Sequence, residues 1–304
     1  MKMAGGLGLG GLLLVALFAY MTGGNPLNAV LNAVVGSGGS GIQMGQSAGD
    51  VEYKPTAEEE ELKTFAEQVL AGTEDVWSEI FAAGGKTYEM PTMMLFTDWV
   101  KSGCGGASKQ VGPFYCSADR CVYLDLSFFG EMRDRLEAGG DFAYAYVIGH
   151  EVGHHVENLL GTLDDAHKEM ARLNRLNTEE ATREANKISV RLELQADFFA
   201  GVWAHYDNAR FGSLEDGDIE EGINCAQKIG DDHLQKKAGG EVQPDSFTHG
   251  TSAARMKWFK KGYELKSLKD SPSIDFGKIM AEGNTFSVPF EDLGKPDEDL
   301  EKPL

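Results

Sequence analysis

Val147-Ile148-Gly149-His150-Glu151-Val152-Gly153-His154-His155 places two histidines four residues apart in a run of small and apolar residues without proline. The surrounding periodicity predicts a helix that Asp141 can cap and that reaches roughly to Leu160, where Gly161 ends it. At 3.6 residues per turn His150 and His154 stand one above the other on a single face, where they can share a metal ion. Glu151 is rotated away from that pair, close enough to reach a water on the metal without being forced to ligate it. Neutral imidazoles suit zinc, and a site with an open fourth position is built for chemistry rather than for structure.

A third ligand is needed, and Arg191-Leu192-Glu193-Leu194-Gln195-Ala196-Asp197 supplies one from a second helix, expected from about Glu184 to Tyr206. Glu193 and Asp197 share a face of that helix. An ion-pairing surface is the plain alternative for two such carboxylates. Val190, Leu194, Phe198, Phe199, Val202 and Trp203 surround them, however, and buried carboxylates must be paired or bound to metal. Glu193 is therefore the expected third ligand. Asp197 is the expected acceptor of an imidazole N–H from one of the histidines.

Working outward, helical periodicity begins at Thr56, with Glu58 to Glu61 where the helix dipole favours acids, and Val76 to Phe81 suggests a second helix. Thr92 to Val100 reads as a strand. A strand pair follows between Phe114 and Leu126, broken by the turn-like Ser117-Ala118-Asp119-Arg120. A helix from about Phe128 to Leu136 can be capped by Asp125 or Ser127. The charged stretch from Asp164 to Arg183 suits a solvated helix. Strands come early and helices late, so the fold class is α+β rather than an alternating parallel sheet. After Ser271 the chain is acidic and punctuated by proline, and is expected to be irregular. Phe128, Phe129, Phe198, Phe199 and Trp203 are most simply core.

The chain has 304 residues, a formal net charge of −20 and a hydrophobic fraction of 42%. That charge argues against a nucleic-acid partner, since phosphate binding needs clustered Lys and Arg. The acidity does not extend to the start, where no charged side chain lies between Lys2 and Asp50. The uncharged run from Met3 to Thr22 is about as long as a membrane crossing requires. A single membrane anchor is the expectation, with a cleaved signal peptide or a buried helix as alternatives. Lys2 would stay cytoplasmic, which places the body of the protein outside the membrane. The expected organisation is an anchor over residues 1–35, a Gly/Ser linker over 36–55, one domain over 56–270 and an acidic tail over 271–304.

Four cysteines, Cys104, Cys116, Cys121 and Cys225, form no C-x-x-C pair. Cys104 and Cys116 bracket a Gly/Ser-rich loop, and a bridge closing it would contribute roughly 3 kcal/mol in the chain-entropy treatment. An extracytoplasmic address permits that bridge. Four buried thiols, and a Cys121–Cys225 pair, are the alternatives.

H-E-x-x-H followed by E-x-x-x-D on a second helix is similar to the gluzincin peptidases. The wider sequence resembles the bacterial neutral zinc metallopeptidases that carry one amino-terminal membrane segment. The resemblance runs over about residues 60–265 and includes Val111-Gly112-Pro113-Phe114-Tyr115-Cys116, Tyr123 to Phe129, His150 to His155, Arg191 to Trp203 and Asp245 to Ser252. It implies a minimal zincin fold with an active-site helix, a glutamate helix and a small mixed sheet, whose edge strand pairs with extended substrate. It also implies one zinc ion on His150, His154 and Glu193, and a peptide or protein as substrate.

The chemistry that follows gives Glu151 the proton of a zinc-activated water, to be returned to the leaving amine. The carbonyl oxygen needs a further donor as it gains charge. His249 and Arg255, in Thr248-His249-Gly250-Thr251-Ser252-Ala253-Ala254-Arg255, are the candidates, with Tyr123 and Tyr146 as competitors. His155 points elsewhere on its helix and is expected to make a structural hydrogen bond. Two rival functions are a membrane-tethered, non-proteolytic scaffold stabilised by zinc, and metal-assisted hydrolysis of a non-peptide bond.

Overall fold

A computed structural model describes residues 56–97, 99–108, 111–265 and 274–295. The expected anchor and linker lie outside these residues. Among those described, no helix is long and apolar enough to cross a membrane.

Helix α1 spans Ala57–Ala83, and Thr56 and Glu59 close a reciprocal capping box at its start. Two helices were expected here, and one is found. Gly72, the weak point between them, is where α1 makes a close approach: a Cβ there would stand 2.7 Å from Asp207 Oδ1. The expected strand from Thr92 to Val100 also divides, into β1 (Thr92–Phe96) and β2 (Trp99–Ser102). β2 pairs antiparallel with β3 (Gly105–Ser108), so the chain leaves the main sheet after Phe96. β4 (Phe114–Cys116) and β5 (Cys121–Asp125) form the expected antiparallel pair, with Arg120 in the left-handed region (φ 55°) at its turn.

The main sheet has the order β1-β5-β4 and is mixed, because β1 runs parallel to β5. Alternation along the strands divides its two faces. Val122 and Leu124 enter the large core beneath the sheet, while Phe96, Cys116, Cys121 and Tyr123 cluster on the other face. The β2–β3 hairpin is joined to β4 by a Cys104–Cys116 disulfide, and Cys121 and Cys225 are free and buried. The alternative pairing of those two thiols is not formed.

Asp125 accepts from the Ser127 N–H and caps α2 (Leu126–Glu131), which runs into a π-turn over Met132–Leu136. Next come α3 (Asp141–Leu160), α4 (Thr162–Asn174) and the long α5 (Glu179–Phe211). Helices α6 (Asp218–Lys228), α7 (Asp231–Lys237), α8 (Ser252–Glu264) and α9 (Phe276–Glu282) complete the domain. Asp141 is the first residue of α3 rather than its cap. Its carboxylate and that of Glu221, from α6, both accept from the Phe142 N–H.

The tail departs from its expected irregularity. Within 274–295 it forms α9 and two 3₁₀ turns, and it buries Ile279 and Leu293. Gln195 Nε2 donates to the Gly283 carbonyl at 2.9 Å, and Trp258 Nε1 donates to that of Leu293 at 3.1 Å. A few apolar residues anchor this segment, and the acidic composition around them hides that periodicity.

Three helices carry the chemistry, and glycine sets their spacing. A Cβ on Gly149 would lie 2.7 Å from the Trp203 ring, and one on Gly153 would lie 2.7 Å from the Ala196 carbonyl oxygen, bringing α3 against α5. Gly201 and Gly262 do the same between α5 and α8, where added Cβ atoms would meet the Phe259 and Phe198 carbonyls. Gly153→Ala gains about 1 kcal/mol in helix propensity, yet forcing a methyl against backbone costs about 1–3 kcal/mol. The expected net result is a lower denaturation midpoint at unchanged m-value in urea unfolding. A midpoint raised by the substitution would show that the contact is not tight.

Candidate metal centre

The ring centroids of His150 and His154, one turn apart on α3, are 4.8 Å apart, and Glu193 faces both from α5. His150 Nε2 lies 3.2 Å from Glu193 Oε2, and His154 Nε2 lies 3.7 Å from Glu193 Oε1. One ligand atom from each of the three residues falls within 4.8 Å of the other two. The structure thus brings together the three residues that the sequence singled out, in a group that could hold a metal ion.

Each imidazole is held from behind by a carboxylate. His150 Nδ1 is 2.8 Å from Asp197 Oδ1, and His154 Nδ1 is 2.8 Å from Glu157 Oε2. In the tautomer that binds metal, each Nδ1 donates to its carboxylate and each Nε2 offers a lone pair. Those lone pairs face another acceptor, the Glu193 carboxylate. A divalent cation satisfies all three at once, and two nitrogens with one carboxylate oxygen suit zinc. The residues present therefore fit the metal.

Asp197 is fully buried and collects more than one donor. Arg255 places Nε 2.8 Å from Oδ2 and Nη2 2.9 Å from Oδ1, and the Tyr146 hydroxyl donates to Oδ1 at 2.5 Å. Burial pushes the Asp197 carboxyl up, but Arg255 and His150 outweigh it and bring it down to about 2. For His150, burial lowers the imidazole, while Asp197 and Glu193 raise it to about 10. Burial also opposes the charge on Glu193, yet the hydrogen bond from His150 and the nearby His249 hold that carboxyl well below its ordinary range.

This arrangement corrects the expectation for Arg255. Its guanidinium is buried and forked onto Asp197, behind the metal ligands, with Nη2 3.9 Å from Glu193 Oε2. Its Nε and Nη2 are committed to Asp197 rather than turned toward a reacting carbonyl. Tyr146 is committed in the same way, and the Tyr123 hydroxyl donates to Asp119. His155 makes the structural contacts expected of it, with Nδ1 at 2.8 Å from the Tyr115 hydroxyl and Nε2 at 2.6 Å from the Glu89 carbonyl.

His249 is different. It is buried, and its Nε2 has no hydrogen-bond partner among the described residues. Its Nδ1 sits 3.1 Å from Asp231 Oδ1, and Asp231 Oδ2 accepts the backbone N–H groups of Thr248, His249 and Gly250 at 2.7–3.0 Å. Burial works against the imidazolium, but the Asp231 carboxylate overcomes it and raises His249 above its ordinary value. Gly250 adopts φ 96°, which a glycine tolerates and which lets three successive amides converge on one oxygen.

Glu151 is buried, 8% exposed, and burial raises its carboxyl above the ordinary value. Among the described residues no donor engages that carboxylate. Glu157 and Asp231 are the two polar residues that sequence reading missed. The spacing His154-x-x-Glu157 was a usable signal, since i and i+3 share a helix face. Asp231 lies far from His249 along the chain and gave none.

The chain is 49% identical over 206 residues to YpfJ of Escherichia coli (strain K12), covering 68% of this chain and 69% of that one. It is 40% identical over 187 residues to Rv2575 of Mycobacterium tuberculosis (strain H37Rv), covering 58% and 60% respectively. Mb2605 of Mycobacterium bovis gives the same figures. No solved structure matches the chain. Residues 1–272 match the family model described as "Putative neutral zinc metallopeptidase", and the chain belongs to that family.

Proposed function

We propose that the protein is a zinc-dependent endopeptidase in which Glu151 is the general base. One observation carries the reading: a buried carboxylate, engaged by no donor among the described residues, stands beside three convergent residues that could hold a metal. When bound, zinc supplies a Lewis acid that polarises a carbonyl and acidifies water. Glu151 takes the proton of the attacking water and returns it to the leaving nitrogen, a task suited to a carboxyl raised by burial. His249 donates from Nε2 to the carbonyl oxygen as negative charge grows there, while Asp231 holds the ring's other nitrogen and favours the imidazolium. Arg255 and Tyr146 keep Asp197 in place, and Asp197 orients His150.

The open side of β4 is where an extended peptide would pair. A non-proteolytic zinc scaffold explains the ligands but not Glu151, since a structural site would close with four protein ligands. The Cys104–Cys116 bridge supports an extracytoplasmic domain, and the uncharged run from Met3 to Thr22 supports a single membrane anchor.

Glu151→Gln in the full-length chain is expected to retain zinc by elemental analysis and to lose about 10²–10⁴-fold in kcat/KM on an unfolded protein substrate. Undiminished turnover would remove Glu151 from the mechanism. The pH profile supplies an independent check. The imidazolium form of His249 persists only up to its raised pKa, so activity falls as pH rises through that value. Asp231→Asn removes the raising charge and leaves Glu193, which raises the value, and Arg255, which lowers it. The alkaline limb of kcat/KM is expected to move to lower pH. An unmoved limb would exclude His249 as the donor.

A further inference from the structure

We propose that Tyr115 and His155 form a brace that fixes the edge strand β4 to the helix turn bearing His154, and so determines how tightly an extended substrate is held. This rests on the peptidase reading. β4 is three residues long and the outermost strand of its sheet, paired on one side with β5 through Phe114–Tyr123, Tyr115–Val122 and Cys116–Cys121. Three residue pairs hold an edge strand weakly, so its position depends on further tethers. The disulfide to Cys104 is one of them. The other is a chain of hydrogen bonds reaching down to α3.

The direction of that chain can be assigned. The Glu89 carbonyl can only accept, so His155 Nε2 donates to it, and His155 Nδ1 is left as an acceptor. The Tyr115 hydroxyl therefore donates to Nδ1, and Asn158 Nδ2 donates to the Tyr115 oxygen at 2.9 Å. Each hydrogen bond along Asn158, Tyr115, His155 and Glu89 thus runs in one direction, and His155 is fully buried. The His155 ring is gripped edge-on by Tyr115 and Tyr88, with centroids at 5.3 Å and 5.6 Å.

The location gives the brace its meaning. His155 follows the ligand His154, and Asn158 lies one turn beyond it on the same helix. The turn of α3 that carries a metal ligand therefore also carries both anchor points of the strand. Glu89 lies three residues before β1, so the lead-in to the opposite edge of the sheet is fastened to the same turn. The placement of β4 relative to the turn that carries His154 is set through these side chains. They are positioning residues, and their effect belongs in substrate binding rather than in bond cleavage.

Tyr115→Phe keeps the ring and removes the donor. In hydrogen exchange on the zinc-loaded full-length chain, the amides of Phe114–Cys116 are expected to exchange at least about fivefold faster, with zinc affinity unchanged. KM for a peptide long enough to pair with β4 should rise by a similar factor, with kcat within about twofold of wild type. Asn158→Ala, which removes only the donor to Tyr115, should produce a smaller change in the same direction. Unchanged exchange at β4 in Tyr115→Phe would overturn the brace, as would a fall in kcat at constant KM. A wild-type chain that holds zinc but cleaves no peptide would overturn the peptidase reading instead, and the exchange result would still decide the brace.

Discussion

At Gly153 the backbone of α5 comes so near to α3 that a methyl group would strike the Ala196 carbonyl. Helices this close must pack without side chains at the crossing, and the geometry on either side is then stiff. Gly149 and Gly153 immediately precede His150 and His154. Ala196 lies between Glu193 and Asp197. The contact that removes the space between the helices therefore also sets the separation of the ligands. The same device at Gly201 and Gly262 brings α8 against α5 and delivers Arg255 to Asp197.

Charge explains why the site tolerates its burial. Asp197, Glu193, Glu151 and Glu157 all lie within a few turns of one another, and unpaired carboxylates in such a place are costly. Asp197 is neutralised by the fork of Arg255 and by His150. Glu193 faces two imidazoles. Glu157 has only His154, and burial followed by the nearby Glu193 pushes its carboxyl well above the ordinary range. Breaking the Asp197–Arg255 pair would strand a buried charge, which costs about 3–5 kcal/mol and propagates to His150.

Much of this was legible in the residues. Helical periodicity puts His150 and His154 on one face, and the apolar flanks of Glu193 and Asp197 mark that helix as buried. Both inferences need only local spacing. Arg255 lies beside the site with its guanidinium turned onto Asp197, an orientation that no spacing rule reveals. Asp231 was invisible for a related reason: its partner is a loop residue met only through the tertiary fold. The tail from 274 to 295 was misjudged because Ile279 and Leu293 are too few to outweigh acids and prolines by composition, yet both are buried. The anchor expected before residue 56 lies outside the described residues.

Zinc K-edge X-ray absorption on the full-length, zinc-loaded chain addresses the metal centre most directly. The expected spectrum has nitrogen and oxygen neighbours at about 2.0–2.2 Å, with the outer-shell scattering of two imidazoles, and the imidazole signal halves in His154→Ala. A sulfur shell near about 2.3 Å, or a spectrum with no imidazole scattering, would contradict a site made of His150, His154 and Glu193.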